Sequence, residues 1–266
     1  TRLAVGLGLV LSAQVLLWPP AAAPGPTYVQ GLIGSDTTWG PSNSPYVVVG
    51  NVSVQMGVVL TVSGGTTVLF NRGMALEVSG TLRVQGLAGQ PVVFESNATS
   101  PRAGDWDAVR IRPGGMADIT GCRVLNATMG INLASSGNSI RFCTFSHDSS
   151  VGLWIGSNSN VVEGNQFYDN GLGVGLLGGG GNTVVGNNLT NNGIGLSHIL
   201  SSGNTIRNNS FLGNADLAVQ TDGPVDLRFN YFGTTDQPAI ERAIYWAGYA
   251  DYRVPLPYRE SGATYV

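Results

Sequence analysis

The reading that decides the fold comes from Gly130 to Gly233. In consecutive pieces it runs GINLASSGNSIRFCTF (130–145), GLWIGSNSNVVEGNQF (152–167), GVGLLGGGGNTVVGNNL (173–189) and GIGLSHILSSGNTIRNNSF (193–211). These are versions of one unit, and an internal repeat has to be recognised before any single element is interpreted. Asn138, Asn160, Asn182 and Asn204 follow one another in steps of 22 residues, and Asn165, Asn187, Asn209 and Asn230 in steps of 22, 22 and 21. Three apolar series keep nearly the same period. They are Ile111, Leu133, Ile155, Leu176, Leu196, Val219; Ile119, Ile140, Val162, Val184, Ile206, Leu227; and Val124, Phe145, Phe167, Leu189, Phe211, Phe232.

Each unit holds three short apolar segments separated by Gly and Asn. They are too short for helices, and their i, i+2 pairs (Ile131 with Leu133, Leu153 with Ile155) have the period of a strand. Three strands per ~22 residues, repeated, predict a parallel β-helix whose equivalent residues stack at the ~4.8 Å strand spacing. The interior becomes columns of aliphatic and Phe side chains, with an Asn column at the turn before the third strand. A buried Asn amide there can bond the turn and its neighbours above and below, for ~1 kcal/mol net each.

Working outward, the segments from Tyr46 (YVVVGNVSV, VVLTV, TTVLF, ALEVSGTLRV, PVVFES) are strand-rich but less regular, as expected of leading coils over 46–104. The regular coils are assigned to 105–236. Residues 24–45, with Pro24, Pro26, Pro41 and Pro45, read as a linker and cap. Residues 237–266 read as a C-terminal cap, with a short amphipathic helix over Ala239, Ile240, Ala243, Ile244 and Ala247 started by Asp236 and Pro238. At the other end, Arg2, an apolar run from Leu3 to Trp18 and the trio Ala21–Ala23 have the layout of a signal peptide or, if uncleaved, an N-terminal anchor over 1–23. Export to the periplasm, cell surface or medium is the expectation, with membrane contact only through that segment.

Composition narrows the function classes. Gly is abundant at 39 residues, charged residues make up 11%, and all 13 basic residues are Arg. That excludes a helical bundle or a disordered tail. A net charge of −3 offers no electrostatic reason to bind nucleic acid.

The N-x-I-x-x-N-x-F units over residues 105–233, the leading segment SPYVVVGNVSVQMGVVLTVSGGTTVLF and the exit NYFGTTD resemble the right-handed parallel β-helix superfamily. Within it they are similar to secreted repeat proteins related to pectate lyases and to periplasmic carbohydrate-binding and hydrolase-type β-helix proteins. The resemblance implies an all-β, single-stranded right-handed parallel β-helix. It is specific for fold and weak for activity, because lyases, hydrolases, epimerases and inert surface proteins share the fold.

A β-helix enzyme needs acids, bases or a Ca²⁺ site on an outer face. The outward positions of the first strands read Arg110, Asn132, Trp154, Gly175, Gly195 and Ala218, without stacked carboxylates. Arg141 above Glu163 reads as a surface ion pair. Arg110, Asn132 and Trp154 are the candidate glycan-binding residues, an aromatic face with polar neighbours. His147, Asp148 and Asp169 are weak acid–base candidates; the simpler reading makes Asp148, Asn170, Asn192 and Asn214 another turn column and His147 a solvated turn residue. No metal or other cofactor is expected, Ca²⁺ entering only with an enzyme. Cys122 and Cys143 lie one repeat apart, at the head of the Asn165 column, which suits either a disulfide or two buried thiols. Sequons occur at Asn51, Asn97, Asn126, Asn188 and Asn208. The expectation is an exported structural or glycan-binding protein. A polysaccharide lyase, hydrolase or uronate epimerase is the alternative, and self-assembly into a surface array through a flat Gly175–Gly195 face is a further option.

Overall fold

The computed structural model describes residues 25–245 and 250–252. They form a parallel β-solenoid of about ten turns with one short helix near its C-terminal end. One regular coil consists of a first strand Met129–Leu133, a middle strand Ser139–Arg141 and a third strand Thr144–Ser146. The next begins with Val151–Ile155. Middle strands stack into an eight-stranded sheet, while first and third strands share a seventeen-stranded one. The two rows join because Thr27–Ile33 and Tyr46–Val54 run unbroken through the corner between a third and a first strand.

Strands this short cannot bury an apolar face alone, so each is stabilised by the coils above and below. Leu133, Ile140 and Phe145 of one coil point inward and are fully buried, as are Ile155, Val162 and Phe167 of the next. Burying side chains of this size is worth about 1.5–3 kcal/mol each. Phe145 and Phe167 stack with ring centroids 4.8 Å apart, close to the coil spacing itself. Gly130 and Gly152 permit the tight fit behind these rings. A Cβ on Gly130 would lie 2.4 Å from the Gly152 carbonyl oxygen and 3.1 Å from Phe145.

Each of the three corners repeats one device. A residue in the left-handed region is followed by a buried polar side chain whose oxygen accepts the backbone N–H of its counterpart one coil earlier. At the first corner Asn138, Asn160 and Asn182 each donate backbone N–H to the Oδ1 of the next, ending on Asn204, at 2.8–3.0 Å. At the second, Cys143, Asn165, Asn187 and Asn209 do so in turn, ending on Asn230, at 2.8–2.9 Å. At the third, Ala127, Asp148, Asn170 and Asn192 do the same, ending on Asn214. At the second corner Asn165, Asn187 and Asn209 also donate Nδ2 both to the next Oδ1 and to a carbonyl of the preceding coil, as Asn187 does to Asn209 and Val162. Corner backbone that would otherwise be orphaned inside the solenoid is thereby satisfied.

Three expectations need correction. Residues 24–45 are not merely linker and cap: Thr27–Ile33 and Thr37–Trp39 are strands of the solenoid, paired with Tyr46–Val54 and Val59–Ser63. The first apolar series slips near its end. Leu176 pairs with His198, which pairs with Thr221, whereas Leu196 and Val219 continue the Val174 row. The C-terminal helix is shorter than its periodicity suggests, Gln237–Arg242, with the Asp236 carboxylate accepting from Ala239 N–H. Ile244 belongs to a two-residue strand, Ile244–Tyr245, paired with Val219 and Gln220. The signal-peptide or anchor reading of 1–23 and most of the C-terminal tail lie outside the described residues.

Candidate functional site

The first strands place one outward residue per coil in a straight row: Glu77, Arg110, Asn132, Trp154, Gly175, Ser197 and Gln220. Parallel pairing in constant register puts them at successive ~4.8 Å steps. Trp154 is half-buried because its indole lies across Gly175 of the next coil. A Cβ there would sit 2.6 Å from Cε3 and 2.9 Å from Cζ3. Gly175 is thus the floor on which the ring rests. Asn132 holds the same position one coil earlier, and the Ser197 hydroxyl lies 3.5 Å from the Gln220 amide oxygen further along.

The structure therefore joins Arg110, Asn132 and Trp154 in one row, as the sequence predicted. It also changes the role of Arg110. That guanidinium is held by Asp107, with Nη2 to Oδ1 at 2.7 Å, and lies 3.8 Å from Glu77. The hydrogen bond to Asp107 raises its pKa, so it is a committed cation, already balanced by two carboxylates. Glu77 also bonds Arg112. The Arg141–Glu163 pair is present, 3.1 Å apart. The outward positions Gly195 and Ala218 are a further correction. Ser197 and Gln220 take those places, while a Cβ on Gly195 would meet the Phe211 ring and the Asn214 amide inside the solenoid. The flat Gly175–Gly195 face proposed for array contacts is not formed.

The acid–base candidates separate. His147 and Asp169 are left-handed corner residues, φ 58° and 57°, with half-exposed side chains and Nε2 3.8 Å from Oδ2. The edge of the His147 ring faces Tyr168 at 6.0 Å. Asp148 turns the other way, into the solenoid, where it is 1% exposed. Its Oδ1 accepts Ala127 N–H, and its Oδ2 has no partner among the described residues. Burial pushes its carboxyl well above the ordinary range, so Asp148 is a member of the third corner column and has no access to a substrate shared with His147.

His198 was missed by sequence reasoning. It is buried in a column otherwise filled by Ile111, Leu133, Ile155 and Leu176, with Nδ1 3.4 Å from Thr221 Oγ1 and Nε2 3.2 Å from Asn204 Nδ2. An amide Nδ2 can only donate, which makes Nε2 the acceptor and Nδ1 the protonated nitrogen. Burial lowers its pKa and keeps the ring neutral. His198 and Asn204 line a cleft of about 420 Å³ at the C-terminal end, whose rim carries Asp226, Arg228 and Asp251. Arg228 bonds Asp226 at 2.7 Å, and that bond lowers the Asp226 pKa. The signal was present: Leu176 to Leu196 is a step of 20, whereas Leu176 to His198 keeps the 22 of the Asn columns.

Cys122 and Cys143 are buried thiols at the head of the second corner column, with sulfurs 2.7 Å apart. Burial raises the Cys122 pKa well above its ordinary value, which makes it a poor nucleophile. Of the sequon residues, Asn51, Asn97, Asn188 and Asn208 are exposed, while Asn126 is half-buried in a left-handed corner. Among the described residues no group of three or more His, Cys, Asp or Glu could hold a metal ion.

The matching family models agree with this geometry at the level of fold. Residues 107–231 match the model of the right-handed β-helix region, and residues 31–138 that of the pectate-lyase-like β-helix domain. No curated protein matches the chain. Among solved structures, an alginate lyase from Paenibacillus sp. str. FPU-7 is 17% identical, with 71% of this chain and 74% of that one covered and a TM-score of 0.47. The A-module of a mannuronan C-5 epimerase from Azotobacter vinelandii is 13% identical, with 90% and 92% covered and a TM-score of 0.37. From residue 31 to residue 231, this chain is a right-handed, pectate-lyase-like parallel β-helix.

Proposed function

We propose that the protein is an exported, cell-surface or periplasmic β-helix that binds an extended glycan along the outward row of its first strands, in a structural or adhesive role. The observation that carries this reading is the Trp154 indole laid over Gly175, with Asn132 beside it and Ser197 and Gln220 in the same row. An aromatic face accepts the C–H face of a sugar ring, and neighbouring amides and hydroxyls exchange hydrogen bonds with its hydroxyls. A row repeating at ~4.8 Å suits a ligand that is itself a linear repeat. Binding is favoured over turnover because Asp148 is buried and Arg110 is held by Asp107 and Glu77. The layout of residues 1–23 supports export.

One observation favours a polysaccharide-active enzyme as the second reading: the exposed His147–Asp169 pair beside Tyr168, a base and an acid within reach of one ligand. Glycan arrays probed with wild type, Trp154→Ala and Asp169→Ala test the binding reading. Weakened signals for the Trp154 variant support it, and unchanged signals for that variant refute it, whatever the Asp169 variant does. Turnover of uronic-acid polymers above background, with or without Ca²⁺, would favour the enzyme.

A further inference from the structure

The left-handed positions of the three corners are filled by residue types that tolerate them, apart from Ser159 and two phenylalanines. The first corner carries Gly137, Ser159, Gly181 and Gly203, and the third carries Asn126, His147, Asp169, Asn191 and Gly213. The second carries Gly121, Phe142, Gly164, Gly186, Asn208 and Phe229, with Phe142 at φ 51° and Phe229 at φ 62°. Gly, Asn, Asp and His are the residues expected at positive φ, and a bulky residue there is an outlier. Leu200, at φ 50°, carries the same cost elsewhere, so strain alone marks no site; what sets the two phenylalanines apart is that they stand in one column. Neither ring gains burial: Phe142 is 49% and Phe229 44% exposed.

The surroundings keep both rings accessible. Phe142 leans over the next coil, where a Cβ on Gly164 would lie 2.8 Å from its Cδ1 and Cε1. Gly164 and Gly186 leave the floor between the two rings without side chains, and Asn208 is the only polar group in the column before Phe229. From Phe142 to Phe229 is four coil steps, roughly 19 Å at the ~4.8 Å spacing. Of the arginines immediately before this column, Arg141 pairs with Glu163 and Arg228 with Asp226, which leaves Arg207 as the exposed cation without an acidic partner among the described residues.

We infer that the second corner is a separate glycan-contact strip, on which Phe142 and Phe229 stack two sugar rings of one acidic polysaccharide chain running along the solenoid axis. Each coil step is close to one sugar unit of an extended chain, which places the two stacked rings about four units apart. Arg207, exposed between them, faces the carboxylate or sulfate groups of the chain. The inference rests on the proposed function only for the class of ligand, since its surface lies at a different part of the coil from Trp154.

Gel retardation in polygalacturonate and in neutral hydroxyethylcellulose tests it with wild type, Phe142→Gly/Phe229→Gly, Trp154→Ala and Leu200→Gly. Glycine relieves the left-handed strain, so the double variant keeps or raises the wild-type unfolding midpoint, and misfolding cannot explain lost binding. Leu200, φ 50° and 76% exposed, lies off the strip and controls for strain relief alone. The expected result is retardation of wild type by polygalacturonate, affinity weakened about tenfold in the double variant, and wild-type behaviour of the Leu200 variant. If the double variant is retarded like wild type while Trp154→Ala is not, the strip is refuted and the Trp154 row stands. If only the double variant loses retardation, the strip stands and the row is refuted. Equal retardation of wild type in the neutral polymer overturns the acidic ligand, and no retardation in either polymer overturns both surfaces.

Discussion

Asp148→Asn should stabilise this solenoid at neutral pH, although it removes a charge and adds no bulk. The native carboxyl is 1% exposed, its Oδ1 accepts Ala127 N–H, and its Oδ2 has no partner among the described residues. One coil later Asn170 shows what an amide does in this column. Its Nδ2 donates to the Asn192 Oδ1 and to the Phe145 carbonyl, each at 3.0 Å. Phe145 stacks on Val124, so an amide at position 148 would reach the Val124 carbonyl and the Asn170 Oδ1 in the same way. Satisfying a buried polar atom is worth about 1–3 kcal/mol, and each kcal/mol moves the midpoint of a chain this size by ~2–4 °C. The pH dependence follows from the raised pKa. Below about pH 3.9 the carboxyl is protonated in both states. As pH rises past that value the unfolded chain releases its proton while the folded one retains it. Stability is therefore lost with rising pH until the folded pKa is passed. The advantage of the Asp148→Asn variant should be larger at pH 7.5 than at pH 4, read as the difference between the two proteins' midpoints in thermal unfolding followed by circular dichroism. A variant less stable than wild type at pH 7.5, or a difference that does not change with pH, would refute the reasoning.

Other predictions follow from single contacts. Gly175→Val places a methyl-bearing carbon where the Trp154 ring now lies, so glycan binding should fall while the unfolding midpoint stays near wild type, measured on the same preparation. His198→Leu restores the apolar column. Because burial depresses the His198 pKa, wild type should lose stability as pH falls below about 6.5, and the variant's midpoint should lack that component between pH 7.5 and 5. Material isolated by export under oxidising conditions should contain the Cys122–Cys143 disulfide, and intact mass should rise by two hydrogens on reduction; an unchanged mass excludes it.

The fold was legible because columns of a solenoid are periodic, and a period survives substitution. Asn187, Phe167 and Val162 each announce a place in the coil by what stands 22 residues away. What interrupts the period was harder to see. His198 hid because GIGL at 193–196 imitates GVGL at 173–176 while standing two residues out of register with it, and the apolar pattern prefers Leu196 to a histidine. The partners of Arg110 were obscure for another reason. Glu77 precedes it by 33 residues, a leading coil lengthened by the insertion around 97–106, so no repeat relates them. Asp148 was placed in its turn column, but only the three-dimensional corner shows that such a column faces inward. Phe142 and Phe229 are distinguished by their left-handed backbone, a property composition does not carry.

The central claim is that the outward row around Trp154 is where a glycan lies. Hydroxyl-radical footprinting of the protein, free and saturated with the polysaccharide that binds it most tightly, reads this residue by residue through mass spectrometry. Trp154 should be oxidised more slowly in the complex, while exposed Met56 and Leu87, off the row, react as before. Oxidation of Trp154 at an unchanged rate in the saturated complex would contradict it.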